Sequence, residues 1–188
     1  MGGLEEFRQQ YAGSQISAPA ADEAVVNEYR GRLPEPLLEE WSISGFAGFG
    51  NGFIWLTNPT EMQYAVGEWG LDPTSLIFGR TAFGDLFIWD GKNVRALFVH
   101  DGEMNWLTDD LKMFFEFSLC DDLFLEEVVR LSKFREALDR LGAIAADEMY
   151  TYVPALALGG EESVDHLKTV KMREQLLLLS QLHRGETQ

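Results

Sequence analysis

Leu76-Ile77-Phe78-Gly79-Arg80-Thr81-Ala82-Phe83-Gly84-Asp85-Leu86-Phe87-Ile88-Trp89-Asp90-Gly91-Lys92-Asn93-Val94-Arg95-Ala96-Leu97-Phe98-Val99-His100-Asp101-Gly102-Glu103-Met104-Asn105-Trp106-Leu107 is the stretch that decides the fold. It holds four short apolar runs, at 76–81, 86–89, 94–100 and 104–107, rich in aromatic and β-branched residues. Gly84-Asp85, Asp90-Gly91 and Asp101-Gly102 supply turn chemistry between them. Gaps this short leave no room for the crossover helix that joins parallel strands, so the sheet is expected to be antiparallel.

Upstream, Gly45 to Leu56 reads as strand, turn, strand, with Asn51-Gly52 supplying the positive backbone angles of a tight hairpin. Asn58-Pro59-Thr60-Glu61 resembles a capping box opening a helix to about Trp69. Earlier still, Leu33 to Trp41 reads as a helix with Pro in its first turn and Leu37, Leu38 and Trp41 on one face. Asp22 to Gly31 reads as another. Leu4, Phe7 and Tyr11 fall at helical spacing, and polar Ser14 to Ala21 reads as a linker. That terminal arm is expected to add less stability than the rest.

Downstream, Thr108 is expected to cap a helix carrying Leu111, Phe114 and Phe115. A further helical region runs from Asp121 or Asp122 to Leu141, with a break near Ser132 and Gly142 as its stop. Tyr150 to Val153 is a short strand, and a last helix is expected from Ser163 to His183, its leucines facing the sheet. The pattern predicts an α+β fold: one compact unit with an antiparallel central sheet flanked by N-terminal and C-terminal helices. Its parts are a helix and linker at 1–21, helices then strands at 22–107, and a helical region with a short strand at 108–184.

Composition narrows the function. The 188 residues are 46% hydrophobic and 12% aromatic, far too apolar for disorder despite a net charge of −16. Fifteen basic residues against 31 acidic ones would repel a phosphate backbone or an anionic membrane, so neither nucleic acid nor membrane is an expected partner. The single Cys120 closes no intramolecular disulfide and builds no thiolate zinc cage. Residues Met1 to Phe7 lack the basic and apolar parts of a secretory signal, so a cytoplasmic setting is expected.

Catalytic patterns are scarce. The glycines at 45–52 lead into a strand rather than a helix, so they do not form a phosphate loop, and no cofactor is expected. His100-Asp101 is the one His beside a carboxylate, but no Gly-x-Ser-x-Gly elbow accompanies it. His166 and His183 have no metal-ligand spacing, and no metal is expected.

One concentration of charge stands out. Asp101, Glu103, Asp109, Asp110, Glu116, Asp121, Asp122, Glu126 and Glu127 lie within 27 residues, opposed only by Lys112. Half the net charge of the chain is therefore local. Like charges destabilise a compact state, so such crowding points to a surface kept for a cationic partner. These nine carboxylates are the candidate binding residues.

Three stretches carry a family resemblance. Tyr29-Arg30-Gly31-Arg32-Leu33-Pro34-Glu35-Pro36-Leu37-Leu38-Glu39-Glu40-Trp41, followed by Gly45 to Asn58-Pro59, resembles the GAD-like domain. Gly79 to Trp89, and Ala137 to Gly142 with Asp147 to Gly160, are similar to the domain that follows the GAD-like region in DNase-neutralising type VI secretion immunity proteins. These proteins in turn resemble the SMI1/KNR4 (SUKH) fold at a distance. The resemblance spans Tyr29 to Leu182 and implies an immunity protein that neutralises a cognate nuclease toxin, with no catalytic residue, metal or cofactor. The partner toxin is expected to present a basic surface. Two other readings stand beside it: a SUKH-type cytosolic adaptor, and a small hydrolase using His100 and Asp101.

Overall fold

The computed structural model describes residues 3–185. Met1 and Gly2, part of the segment read above for a leader signal, lie outside them. The chain folds as a mixed α+β unit around a six-stranded antiparallel sheet. The strands are β1 (Gly48–Phe49), β2 (Ile54–Leu56), β3 (Leu76–Thr81), β4 (Leu86–Trp89), β5 (Val94–Phe98) and β6 (Glu103–Thr108). They pair strictly in chain order, a meander, as the short turns require. The hairpin loop holds Asn51 at φ 58° and Gly52 at φ 93°, the positive angles that an Asn-Gly pair tolerates.

Both faces of the sheet are covered, and the two-residue period sorts side chains between them. Phe78, Phe87, Ala96 and Phe98 point into one core, shared with α1 (Glu5–Tyr11), α2 (Glu23–Tyr29), α3 (Glu35–Ser44), α5 (Leu111–Glu116), α6 (Asp122–Glu127) and α7 (Leu131–Leu141). Ile77, Leu86, Ile88, Leu97 and Val99 point into the other. There they meet Ala65 and Val66 of α4 (Gln63–Glu68) and Leu176 and Leu179 of α8 (Met172–Gly185).

Four expectations change. The helix expected from Ser163 begins only at Met172, because Leu167–Lys171 forms a strand, β8, paired antiparallel with β7 (Glu148–Tyr152). The β7 strand needs a partner for its backbone groups, and the meander's edge does not provide one. Leu178, expected to be hidden, is 48% exposed, whereas Leu176 and Leu179 are buried. Thr108 does not cap α5: Asp110 does, two residues later. The helix after Asn58 starts at Gln63, the residues between being held in turns by Asn58.

The terminal arm is also built in. Leu4 and Phe7 are fully buried, Phe7 packing on Phe49 at 4.7 Å and on Phe115 at 5.0 Å between ring centroids. The "linker" exchanges two backbone hydrogen bonds between Ile16 and Gly48, at 2.7 and 3.1 Å, and so covers the β1 edge. Gly45 shows how tightly it lies: a Cβ there would sit 1.8 Å from the Pro19 carbonyl oxygen.

Candidate protein-binding face

The acidic segment follows a closed path. From the turn at Asp101 the chain runs along β6 into α5, through a 3-10 turn at Ser118–Cys120, and back through α6. Arg130, three residues after the end of α6, adopts φ 65° and returns to Asp101 at 3.3 Å. This left-handed residue breaks the helix between α6 and α7, two residues before the Ser132 position read from sequence. Residues 101–130 therefore form one flank of the molecule, and β6 is the outer strand of the sheet there.

The nine carboxylates divide into two groups. Asp110 accepts from the Lys112 and Met113 amides at 2.8 and 3.1 Å, and Asp121 accepts from the Phe124 amide at 2.8 Å. Both satisfy the orphan N–H groups that begin a helix. Asp101 pairs with Arg130, Glu116 with Lys112, and Glu126 with Arg135 and the Ser132 amide. Glu103, Asp109, Asp122 and Glu127 are exposed and make neither a hydrogen bond nor an ion pair among the described residues. Those four are the carboxylates free to face a partner.

Composition did not announce the apolar part of this flank. Among the described residues nine large apolar side chains are conspicuously exposed, and five of them lie here: Met104, Trp106, Met113, Phe117 and Leu123. Trp106 and Phe117 are each 61% exposed and Leu123 70%. Met104 and Trp106 share a face of β6, while Met113 and Phe117, four apart, share the outward side of α5. In the sequence Met104-Asn105-Trp106 looks like any half-buried strand. Only its place as the last strand of the meander marks it as an edge. Apolar anchors rimmed by charge are the usual anatomy of a protein-binding surface.

Behind this flank lies a buried polar network. The Asp85 carboxylate, fully buried, accepts from Thr81 Oγ1 at 3.1 Å and the Val99 amide at 3.3 Å, and lies 3.6 Å from Arg130. His100 is turned inward: Nε2 donates to the Phe83 carbonyl at 3.0 Å, and the ring lies edge-on to Tyr152. Asp101 binds Arg130 rather than His100, so the pair weighed as a hydrolase dyad is not assembled. Cys120 donates to the Phe115 carbonyl, and burial, with Glu116 and Glu6 nearby, pushes its thiol up to about 11, away from nucleophilic character. Among the described residues no group of three or more His, Cys, Asp or Glu is placed to hold a metal.

Burial holds the His100 pKa below its ordinary value, the Asp85 charge opposing this and Arg130 reinforcing it. The unfolded chain thus binds a proton that the folded one refuses. The His100 contribution is fully present above about pH 6.5 and is lost as pH falls below it, by up to ~1.4 kcal/mol per pH unit. Urea unfolding of His100→Gln at pH 7 and pH 5 is expected to show a shallower loss than the parent. Parallel losses would place the acid sensitivity elsewhere.

With this geometry in view, residues 4–101 match the family model of the GAD-like domain, and residues 108–183 match that of T6SS immunity protein Tdi1, C-terminal. The Gly79–Trp89 motif falls inside the first match, not in the region after it, as its resemblance had suggested. The first match also begins in the terminal arm, in keeping with the burial of Leu4 and Phe7. The interval between the matches holds nearly all of β6, the last strand of the meander, whereas β7 and β8, inside the second match, form a two-stranded sheet of their own. Among solved structures, the chain is similar to the crystal structure of Atu4351 from Agrobacterium tumefaciens, with a TM-score of 0.75 and 18% identity. That similarity covers 95% of this chain and 88% of the other, and it concerns the fold. No curated protein matches the chain.

Proposed function

Because this chain belongs to the GAD-like domain family and carries a match to the C-terminal region of a type VI secretion immunity protein, we propose that it is itself an immunity protein. In this reading it sits in the cytoplasm and neutralises a cognate nuclease toxin by stoichiometric binding, without turnover. The single observation that best supports the reading is the flank between Glu103 and Glu127. Apolar anchors and uncommitted carboxylates are interspersed there, on the edge strand β6 and on α5 and α6 beside it. A nuclease grips DNA through a basic surface, and an acidic face complements one. Co-expression with its cognate nuclease toxin is expected to restore growth and to yield a one-to-one complex. Growth arrest despite soluble co-expression would overturn the reading.

Charge and contact act at different stages of binding. At physiological salt the Debye length is about 8 Å, so the free carboxylates work mainly during approach. Changing Glu103 and Glu127 to Gln and Asp109 and Asp122 to Asn is expected to slow association roughly tenfold at low salt and to flatten its salt dependence. Dissociation should change little. The capping Asp110 and Asp121 are left intact, so folding is undisturbed. Stopped-flow association at several salt concentrations checks this, and unchanged on-rates would leave the acidity as a solubility feature.

A further inference from the structure

On the other side of the sheet lies a guanidinium with no counter-charge. Arg80, near the end of β3, is paired in register with Trp55 and Leu86 and points toward the face covered by α4 and α8. It is fully buried. Its Nη1 donates to the Thr81 carbonyl at 3.1 Å and its Nη2 to the Ala146 carbonyl at 2.7 Å, and the guanidinium lies 5.2 Å from the centre of the Trp55 ring. Among the described residues no carboxylate comes within ion-pair distance of it. Asp147, which acts on its charge from further off, is exposed and bonded to Lys171. Burial of a charge is ordinarily matched by an opposite charge in contact with it.

Arg80 lines a cavity of 100 Å³ with Trp55, Asn58 and Met62. Glu61, Met62, Ala146 and Met172 line both that cavity and a cleft of 710 Å³, so the two lie side by side. The cleft is walled by Tyr64, whose hydroxyl is buried without a partner, and Arg173 lies over the Tyr64 ring at 4.4 Å. We propose that this cavity and cleft form a carboxylate-binding site, in which Arg80 takes the carboxylate and Met62, Met172 and Tyr64 take an apolar body attached to it. The planar fork of arginine fits a carboxylate through two parallel hydrogen bonds. The small inner cavity has room for that group and little more, while the cleft has room for the rest. Methionine side chains adapt to irregular apolar shapes. The site faces away from the acidic flank and stands or falls independently of toxin binding.

The test is titration of the full chain with benzoate, acetate and inorganic phosphate at constant ionic strength, read by Trp fluorescence and melting temperature. A dipeptide ending in Phe with a free carboxylate, and its amide, form a second arm. Saturable binding is expected for benzoate, at least tenfold tighter than acetate or phosphate, and lost in Arg80→Gln. Met172→Trp, which fills the site from its other wall and leaves the Arg80 side chain in place, is expected to abolish it too, and keeps the test open if Arg80→Gln fails to fold. Preference for the free-acid dipeptide over benzoate would assign the site to a chain terminus of a partner, and the reverse to a small acid. No saturation by any carboxylate, or equal binding in Met172→Trp, would overturn the proposal and leave Arg80 as a strut between the sheet and Ala146.

Discussion

Arg130→Ala is expected to destabilise the protein by about 3–5 kcal/mol, because it strands the Asp85 carboxylate without its partner. Asp85 is fully buried, and its remaining donors are one hydroxyl and one amide. Arg130 also bridges outward to Asp101 and Glu162, and its guanidinium lies within 6 Å of the Phe83 and Phe98 ring centres. One side chain thus joins α7, the β5–β6 turn and the Thr81–Asp85 turn. The backbone pulls the other way. At φ 65° any side chain carries strain that glycine escapes, so Arg130→Gly should be less damaging than Arg130→Ala by ~1 kcal/mol. Asp85→Asn in the Arg130→Ala background should recover part of the loss, since the uncompensated charge is gone. Urea unfolding of the three variants separates charge from backbone. Equal losses for the alanine and glycine variants, with no recovery in the double variant, would show that lost packing is the main term.

Much of the fold could be read because local signals agreed. At β3 and β4 the apolar runs and their flanking Gly-Asp and Asp-Gly pairs coincide, and those bounds match the structure residue for residue. At β8 they conflict. Leu167 to Lys171 is compatible with helix, and only the pairing Tyr150–Thr169 makes it a strand. Such a long-range requirement leaves no local mark. The arm misleads for the same reason: Leu4, Phe7 and Tyr11 are few, but each is buried, and Tyr11 reaches the Leu119 carbonyl at 2.7 Å.

The candidate face divides likewise. A count of charge finds nine carboxylates as a field but cannot separate Asp110 and Asp121, whose oxygens are spent on helix amides, from Asp109 and Asp122, adjacent in sequence and free. Arg130 belongs to the same flank although it lies outside the counted segment, because its reach to Asp101 depends on the turn between α6 and α7. The exposed aromatics escape altogether, since sequence reading assigns large apolar side chains to cores. Arg80 escapes too: within Gly79-Arg80-Thr81 nothing signals full burial.

Trp106→Ala and Phe117→Ala are expected to weaken the toxin complex most, each by about 2–4 kcal/mol, or roughly 30- to 1,000-fold in Kd. Large aromatics bury ~150–250 Å² each when covered, and tryptophan is among the residues that most often dominate interfaces. Trp106 is also oriented beforehand, its Nε1 donating to Asn93 Oδ1 at 3.2 Å, so little side-chain freedom is left to lose on binding. The free protein should scarcely notice, since surface truncations of this kind usually stay within about 0.5 kcal/mol. Ile43 and Leu178 are exposed apolar residues outside the flank, and their alanine variants are the matched controls. If exposure alone mattered, all four variants would bind alike; if the flank is the interface, only the first two fail. The failure should appear as faster dissociation, whereas loss of the free carboxylates slows association, because contacts act after docking and charge acts before it. Surface plasmon resonance with immobilised toxin reads both rates from one titration. Trp106→Ala and Phe117→Ala complexes that dissociate as slowly as the parent would move the interface off this flank, even if the toxin remains the partner.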